Sequence, residues 1–525
     1  MNRDELKQRV EERWPGQVQW QMASMTVCEL TCPQGLLPEL CGQLFLEWKL
    51  SFSGLIVEEG TEKWQLRYVF YGEREAGWIQ VVIAAPLSQK TFPSIVKFVH
   101  AADWHEREAE DLFGLQFEGH PRLGDFVLHD DAWPKNVEPM RRGFDHQAAL
   151  RQRQANGDWH PRRIVREPGA FVMPVGPKYS GVTESVHFLL ETVGEDVIRS
   201  TPRLFYKWRA VEKLAEGKPV GDVLLLAERF AATTAFAHGL AYCQAVEAIG
   251  ETVIPPRAKT LRVFLAELER LRQHAGAIQE ICESTALVVA NAHAGICEEE
   301  LLRISGGLTG HRYLFGLLKP GGLTRDLSNE ACRLALEKSG KVLAQLNALE
   351  KQLRVSSSFL DRLEEVGIVP EQTAWVYGLL GPIARASGVV RDLRRAQPYS
   401  GYDQFQFEVP AEREGDGYAR LRILFAEARQ SVRIMEQAVT ALTEGNISET
   451  VQQRAGAALG WVEAPRGGSF HWIRLDDVGK VVRYRIIPPS FANWHGFHLS
   501  VEKFAFQDFP IMLSTFDLSV SENDR

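Results

Sequence analysis

Apolar and polar positions alternate in Gln17-Val-Gln-Trp-Gln, in Trp64-Gln-Leu-Arg-Tyr-Val-Phe-Tyr71 and, in part, in Trp78-Ile-Gln-Val-Val-Ile83. That two-residue period predicts half-buried strands. The period lengthens over 38–47 and 94–110, where it predicts helices, so residues 1–140 read as a small α+β domain built on an antiparallel sheet. Residues 141–170 are polar, basic and weakly periodic, the pattern of a linker or extended arm lying on partners. A short β-rich start over 171–177 and 187–198 then gives way to amphipathic runs at 222–249, 258–290, 296–304, 329–353, 357–364 and 418–443. Apolar residues there recur every three or four positions, as at Leu261, Phe264, Leu265, Leu268 and Leu271, the signature of helices with one buried face. A second β-rich piece covers 468–487. The expected class is α+β: a small α/β-sandwich-like docking domain at 1–140, a linker at 141–170, and a mainly helical domain with small β-rich pieces at 171–525.

Composition narrows the function. The 525 residues carry a formal net charge of -8, which argues against a general nucleic-acid binder, since such proteins carry a basic patch or balance. A membrane helix needs roughly 20 predominantly apolar residues. The longest run free of Asp, Glu, Lys and Arg, Phe230–Val246, contains Thr233, Thr234, His238 and Gln244, so it reads as buried in protein. The charged N-terminus has no apolar signal-peptide region. These features predict a peripheral protein without a transmembrane segment, attached to a membrane through partners. The seven cysteines are scattered and form no CxxC, so they read as reduced thiols, with Cys28 and Cys32 as packing residues.

Several groups are candidates for chemistry. Asp103, Glu106, Glu110 and Asp111 crowd one predicted helix, and the pattern reads as a solvated or partner-facing surface, with Gly114 as the C-cap. His495 and His498 form a HisxxHis pair in a stretch read as a turn, without a third ligand at suitable spacing. No GxxxxGK[ST] and no strand–GxGxxG–helix pattern occurs. The stretch Leu226–Tyr242 has no charged side chain between Arg229 and His238.

The run Ala102-Asp-Trp-His-Glu-Arg-Glu-Ala-Glu-Asp-Leu-Phe-Gly-Leu-Gln-Phe-Glu-Gly-His-Pro121 resembles the 30-kilodalton subunit of respiratory complex I, a docking domain without its own cofactor. Residues 171–525 carry Gly176-Pro-Lys-Tyr-Ser-Gly-Val-Thr-Glu-Ser-Val-His187, Phe205-Tyr-Lys-Trp-Arg, Pro255-Pro-Arg-Ala-Lys-Thr-Leu-Arg262, Glu267-Leu-Glu-Arg-Leu-Arg-Gln-His274, Gly310-His-Arg-Tyr-Leu-Phe-Gly316, Arg385-Ala-Ser-Gly-Val-Val-Arg-Asp-Leu-Arg-Arg395 and Pro489-Ser-Phe-Ala-Asn493. Together they resemble the large subunit of group 4 membrane-bound [NiFe] hydrogenases and its relative, the 49-kilodalton subunit of complex I. The fused order is similar to formate hydrogenlyase and hydrogenase-4 large subunits.

What the resemblance implies is specific. A [NiFe] centre takes two pairs of cysteine thiolates. Here Ala231 and Thr234 stand at the first pair and Ser519 and Glu522 at the second, so the chain is expected to hold no [NiFe] centre and no metal of its own. The complex I quinone site takes a His and a Tyr; Thr183 and Ala232 stand there, with Tyr179 and His187 nearby as substitutes, and quinone binding stays an open alternative. Glu184 matches a proton-relaying glutamate beside His187. Arg229, His238 and His311 match residues near a 4Fe–4S cluster carried by an adjacent subunit. The expected partners are that small 4Fe–4S subunit and antiporter-like and other membrane subunits, with no nucleic acid, at the cytoplasmic face of the membrane. The implied function is a peripheral-arm subunit of a complex I-like oxidoreductase that couples electron transfer to ion translocation. A quinone or other acceptor reductase and a redox-inactive scaffold are the alternatives.

Overall fold

The computed structural model describes the chain except residues 1, 154–157, 159, 161–163, 167, 179–183 and 503. After a helix at Arg3–Arg13 come five strands, β1 Gln19–Met22, β2 Val27–Thr31, β3 Ser51–Glu59, β4 Lys63–Tyr71 and β5 Trp78–Pro86, ordered β1-β2-β5-β4-β3 in one sheet. The alternating runs at 64–71 and 78–83 are strands, but the sheet is mixed rather than antiparallel. β2 runs parallel to β5, with Leu30 opposite Val81. The cause is the helical segment 34–47 between β2 and β3; such a crossover returns the chain in the same direction, where a tight turn reverses it.

The helix expected over 94–110 is Asp103–Phe113, ended by Gly114 at φ 71. Its start is delayed because Glu106 claims the segment before it. The Glu106 carboxylate accepts from Ser94 Oγ at 2.6 Å and from the Ile95 amide at 2.9 Å. The acidic face is therefore not a solvated surface. Glu106 is fully buried, and burial pushes its carboxyl up to about 7. Asp111 accepts from the amides of Val127 and Leu128 at 2.7 and 3.0 Å and pins the following loop.

The second half of the chain is mainly helical, which makes the whole a mixed α+β molecule. Its larger sheets are a four-stranded one (170–175, 187–193, 196–203, 504–505) and a three-stranded one, Gly456–Ala464, Gly467–Leu475 and Val481–Ile487. The longest helices are Pro256–Ser284, Asn329–Leu353, Gly417–Thr440 and Val288–Thr309. The run expected over 258–290 is thus split, and Ala286 between the two helices takes φ 61. The run expected over 222–249 is also cut, into Val220–Arg229, a 3-10 turn Ala232–Thr234, and Ala235–Ile249. The cut is made from outside. Glu269 of the Pro256–Ser284 helix accepts from the Phe236 and Ala237 amides at 2.8 and 2.9 Å, supplying the N-terminal partners that a helix start lacks. The Ala235–Ile249 helix then lies on the Gly456–Ala464 strand at Gly460, where an added Cβ would collide with the Ala241 carbonyl oxygen.

One apolar core fills the space between these helices and the three-stranded sheet. A second joins the N-terminal sheet to residues 186–205, 369–389 and 491–520. Between them Arg485 donates to Glu108 at 2.5 Å and to Glu212 at 3.2 Å, and Arg525 donates to Glu108 at 2.8 Å, so the two halves of the chain are tied by buried charge. Among the described residues no helix is long and apolar enough to cross a membrane.

Candidate functional site

The cut helix places its 3-10 turn against the last residues of the chain. Thr234 donates to Glu522 Oε1 at 3.4 Å, and both side chains are fully buried. Glu522 also accepts from the Ser490 amide at 3.1 Å and lies 3.6 Å from Arg466 Nη1 and 3.7 Å from His238 Nε2. Burial alone would raise this carboxyl; the His238 ring and the Arg466 guanidinium outweigh it and hold it at about 2. Arg466, at the turn between Gly456–Ala464 and Gly467–Leu475, donates to Asp517 O at 2.6 Å, to Asp517 Oδ1 at 3.0 Å and to Thr233 Oγ1 at 3.2 Å. Gln273 closes the knot by donating to Asp517 at 3.0 Å. Ser519 caps the short helix Val520–Asn523 by accepting from the Glu522 amide at 3.2 Å. Ala231 contributes a buried methyl.

His238 extends this knot inward. Its Nδ1 lies 3.2 Å from His471 Nε2 and 3.1 Å from Ser469 Oγ, and His471 Nδ1 lies 2.7 Å from the Tyr484 hydroxyl. Burial, then His238 and Arg525, hold His471 well below the usual imidazole range, so it is neutral and relays hydrogen bonds between Tyr484 and His238.

Arg229 and His311 lie elsewhere. The Arg229 side chain is 48% exposed and its guanidinium sits 5.1 Å from the Phe315 ring. His311 stacks on the same ring at 4.4 Å. The two therefore share one surface platform, whereas His238 is in the interior. Glu184 accepts from the Val520 and Ser521 amides at 2.5 and 3.0 Å, anchoring the helix that carries Glu522. His187 hydrogen-bonds the Tyr206 hydroxyl through Nδ1 at 3.1 Å; burial and Arg203 lower its pKa. Ala232 is exposed. Thr183 and Tyr179 lie outside the described residues.

Where the resemblance puts four thiolates, the chain offers a methyl, two hydroxyls and a carboxylate. The three oxygen groups are already committed to partners within the chain. Hard, partnered oxygens do not fit a centre that requires soft thiolates. Among the described residues no three His, Cys, Asp or Glu side chains converge in a metal-holding group. The HisxxHis pair lies on a helix, Pro489–Ser500, rather than in a turn. His495 is buried there beside Asp103, 3.9 Å away, and His498 lies 3.3 Å from Trp494 O through Nδ1.

Sequence reasoning found the stretch around Ala231 but missed Arg466, Asp517, Gln273 and His471. The signal available for Arg466 was Pro465-Arg-Gly-Gly468 ahead of an alternating run, a turn that presents a single cation.

The 30-kilodalton subunit model of respiratory-chain NADH dehydrogenase matches residues 31–149, and the 49-kilodalton subunit model matches 294–455 and 446–525. The chain is 30% identical over 458 residues to formate hydrogenlyase subunit 5 of Escherichia coli (strain K12), covering 85% of this chain and 79% of that one. It is 29% identical over 454 residues to hydrogenase-4 component G of the same organism, covering 86% and 79%. It is 28% identical over 462 residues to the C/D subunit of the NADH-quinone oxidoreductase of Bdellovibrio bacteriovorus, covering 81% of each.

Proposed function

The chain belongs to the family of formate hydrogenlyase subunit 5, with a part matching the 30-kilodalton subunit joined to one matching the 49-kilodalton subunit of respiratory-chain NADH dehydrogenase, and we propose that within it the chain docks an iron–sulfur subunit and couples electron transfer to ion movement without a [NiFe] centre of its own. It is a peripheral-arm subunit of a complex I-like oxidoreductase. In this reading residues 1–140 are the 30-kilodalton-like docking domain, 141–170 the linker and 171–525 the 49-kilodalton or hydrogenase-large-subunit-like domain. The 4Fe–4S cluster belongs to a small adjacent subunit facing the Arg229–Phe315–His311 platform. Antiporter-like membrane subunits hold the complex at the cytoplasmic face of the membrane.

The observation that carries the reading is the contact between Thr234 and Glu522. It joins two segments 288 positions apart in sequence at a point where the resemblance to hydrogenases calls for metal ligands, and fills that point with a hydroxyl-to-carboxylate hydrogen bond beside a guanidinium 3.6 Å away. A carboxylate, a guanidinium and an imidazole at this spacing stabilise charge and hold protons. In the same reading Glu184 positions the Glu522 helix beside them.

The test is metal and turnover analysis of the complex purified from its native membrane. Iron and acid-labile sulfide without stoichiometric nickel is the expected result, and one nickel per chain overturns the reading. Quinone-dependent turnover abolished by Ala232→Trp would instead favour a reductase whose acceptor enters at the exposed 3-10 turn. Unaltered binding of the iron–sulfur subunit to an Arg229→Ala, His311→Ala double variant would remove the docking assignment.

A further inference from the structure

Behind this site, reached from Gln273 through the adjacent His274, eight side chains form a continuous charged cluster in the core between the Pro256–Ser284 and Gly417–Thr440 helices and the Gly456–Ala464 strand. Arg394 donates to Glu267 at 2.9 Å and to Asp392 at 2.6 Å. Arg385 donates to Glu427 at 2.7 Å and to Glu463 at 2.8 Å, and lies 3.6 Å from Asp392. Arg270 lies 3.3 Å from Glu267 and 3.8 Å from Glu427. His274 Nε2 lies 2.9 Å from Glu427. The uncharged hydroxyls of Tyr402 and Ser431 donate to Glu267 at 2.7 Å each, and Tyr399 accepts from the Glu463 amide at 2.9 Å. Every one of the eight is at most 5% exposed.

The charges do not balance. Four carboxylates (Glu267, Asp392, Glu427, Glu463) face three guanidiniums (Arg270, Arg385, Arg394). An unpaired charge in a dry interior costs several kcal/mol, so the cluster favours binding one more proton. His274 is a poor place for it: Nε2 already serves Glu427, and Nδ1 is buried with no partner, so a second N–H would be unsatisfied. Glu463 is the better place. It shares Arg385 with Asp392, and burial, followed by the Asp392 charge, raises its carboxyl above the usual range while Asp392 is lowered. Glu463 also lines a cavity of about 20 Å³ at the seam between the two halves of the chain, together with Ser51, Phe52, Tyr71, Leu380 and Arg391. A space of that size admits one water, for which about 10–15 Å³ suffices. The Arg391 guanidinium does not supply the missing cation: it stacks 3.8 Å from the Trp375 ring and donates to Lys49 O at 2.7 Å.

We propose that Glu463 is a buried proton-binding site, carrying at neutral pH the one proton that makes its cluster electroneutral and exchanging it with a water in the cavity it lines. The exchange is a proton transfer between the carboxyl oxygen and that water, with no change in oxidation state. Neither the identity of the electron acceptor nor the absence of nickel enters into it.

Infrared difference spectroscopy of the full chain, labelled with ¹³C-glutamate, tests it. The wild-type minus Glu463→Gln spectrum at pH 7 is expected to contain a protonated-carboxyl band; a carboxylate pair of bands in its place overturns the proposal. Asp392→Asn provides an independent arm, because three acids then face three guanidiniums and Glu463 is expected to ionise, exchanging the protonated band for carboxylate bands. Retention of the protonated band in that variant refutes the charge-balance argument. His274→Gln is expected to leave the band in place; carboxylate bands in wild type that give way to a protonated band in His274→Gln would assign the proton to the imidazole and overturn the proposal. Stability gives a second readout. A carboxyl whose folded pKa is raised loses stability as pH climbs from the unfolded value towards the folded one. Glu463→Gln is therefore expected to gain on wild type by about tenfold in folding equilibrium per pH unit between the ordinary value of 4.5 and the raised folded value, and a pH-independent difference would count against the site.

Discussion

Glu522→Gln is the perturbation that most directly probes the site. Glu522 is fully buried, and its carboxyl is held at about 2 against an ordinary value of 4.5. At about 1.36 kcal/mol for each tenfold change, that difference corresponds to about 3 kcal/mol of stabilisation of the ionised form by the fold. A depressed folded pKa contributes stability that is fully present above the unfolded value and is lost as pH falls through the folded one. The window is therefore from about 4.5 down to about 2. Glutamine keeps the shape and contacts but cannot carry the charge, so the variant is expected to be about 3 kcal/mol less stable at pH 7. By about pH 3.5 the unfolded wild type is mostly protonated while the folded state is still ionised, and the gap narrows by about 1.4 kcal/mol, a tenfold change in the equilibrium. Parallel urea unfolding of both proteins at pH 7 and pH 3.5 measures this, since urea leaves ionic strength unchanged. A gap that is the same at both values, or no gap at pH 7, would refute the argument that the His238 ring and the Arg466 guanidinium act on Glu522.

Other expectations follow from the same geometry. Glu106 has a raised folded value of about 7, so its stability contribution is lost as pH rises from 4.5 to 7. Glu106→Gln is expected to gain about 3 kcal/mol on wild type across that range in thermal or urea unfolding. Arg229→Ala and His311→Ala replace partly exposed groups on Phe315 and are expected to change stability by less than about 0.5 kcal/mol; pull-down of the iron–sulfur subunit checks whether they weaken docking. Arg485→Met removes one of the cations shared by the buried Glu108 and Glu212 carboxylates, which keep Arg525 and, at Glu212, Arg483, and is expected to cost about 3 kcal/mol, the lower end for breaking a buried pair. Because those pairs tie the two halves of the chain together, calorimetry of that variant is expected to show an early transition for the N-terminal part.

Much of this fold was legible because the local period agreed with the final structure. The strands Lys63–Tyr71 and Trp78–Pro86 follow from alternation, and Asn329–Leu353 and Gly417–Thr440 from helical spacing. The failures have non-local causes. The run over 222–249 has no Pro to stop it; its interruption depends on Glu269, which sits over thirty residues away. The acidic face of Asp103–Phe113 reads as solvated because the partners of Glu106 are in other elements, Tyr68 on a strand and Ser94 in a loop. The parallel β2–β5 pair depends on a crossover whose direction of return no local pattern records. At the site, the resemblance supplied Ala231, Thr234, Ser519 and Glu522, but the side chains that define their electrostatics, Arg466 and Asp517, became visible only once the strand turn and the terminal helix were seen together.

The replacement at position 522 also bears on why the shell around it persists. Arg466 holds Asp517 by two hydrogen bonds and lies 3.6 Å from Glu522, so it stands against two carboxylates. Under the hydrogenase resemblance, a site of metal-bound thiolates would have set negative charge against this guanidinium. A neutral residue at 522 would leave Arg466 with one anion fewer inside a region with almost no access to water. Glutamate keeps the sign of the charge at that point while discarding the soft donor. In the proposed reading the residue at 522 is thus conservative in electrostatics and radical in coordination chemistry, and it sits in a hydrogen-bonded shell of Arg466, Asp517, Gln273, His238 and His471. It also sets a condition on any attempt to restore a thiolate there: Glu522→Cys alone would place a group with an ordinary pKa of about 8.5 beside Arg466, whose charge would have to ionise it before the knot could close again.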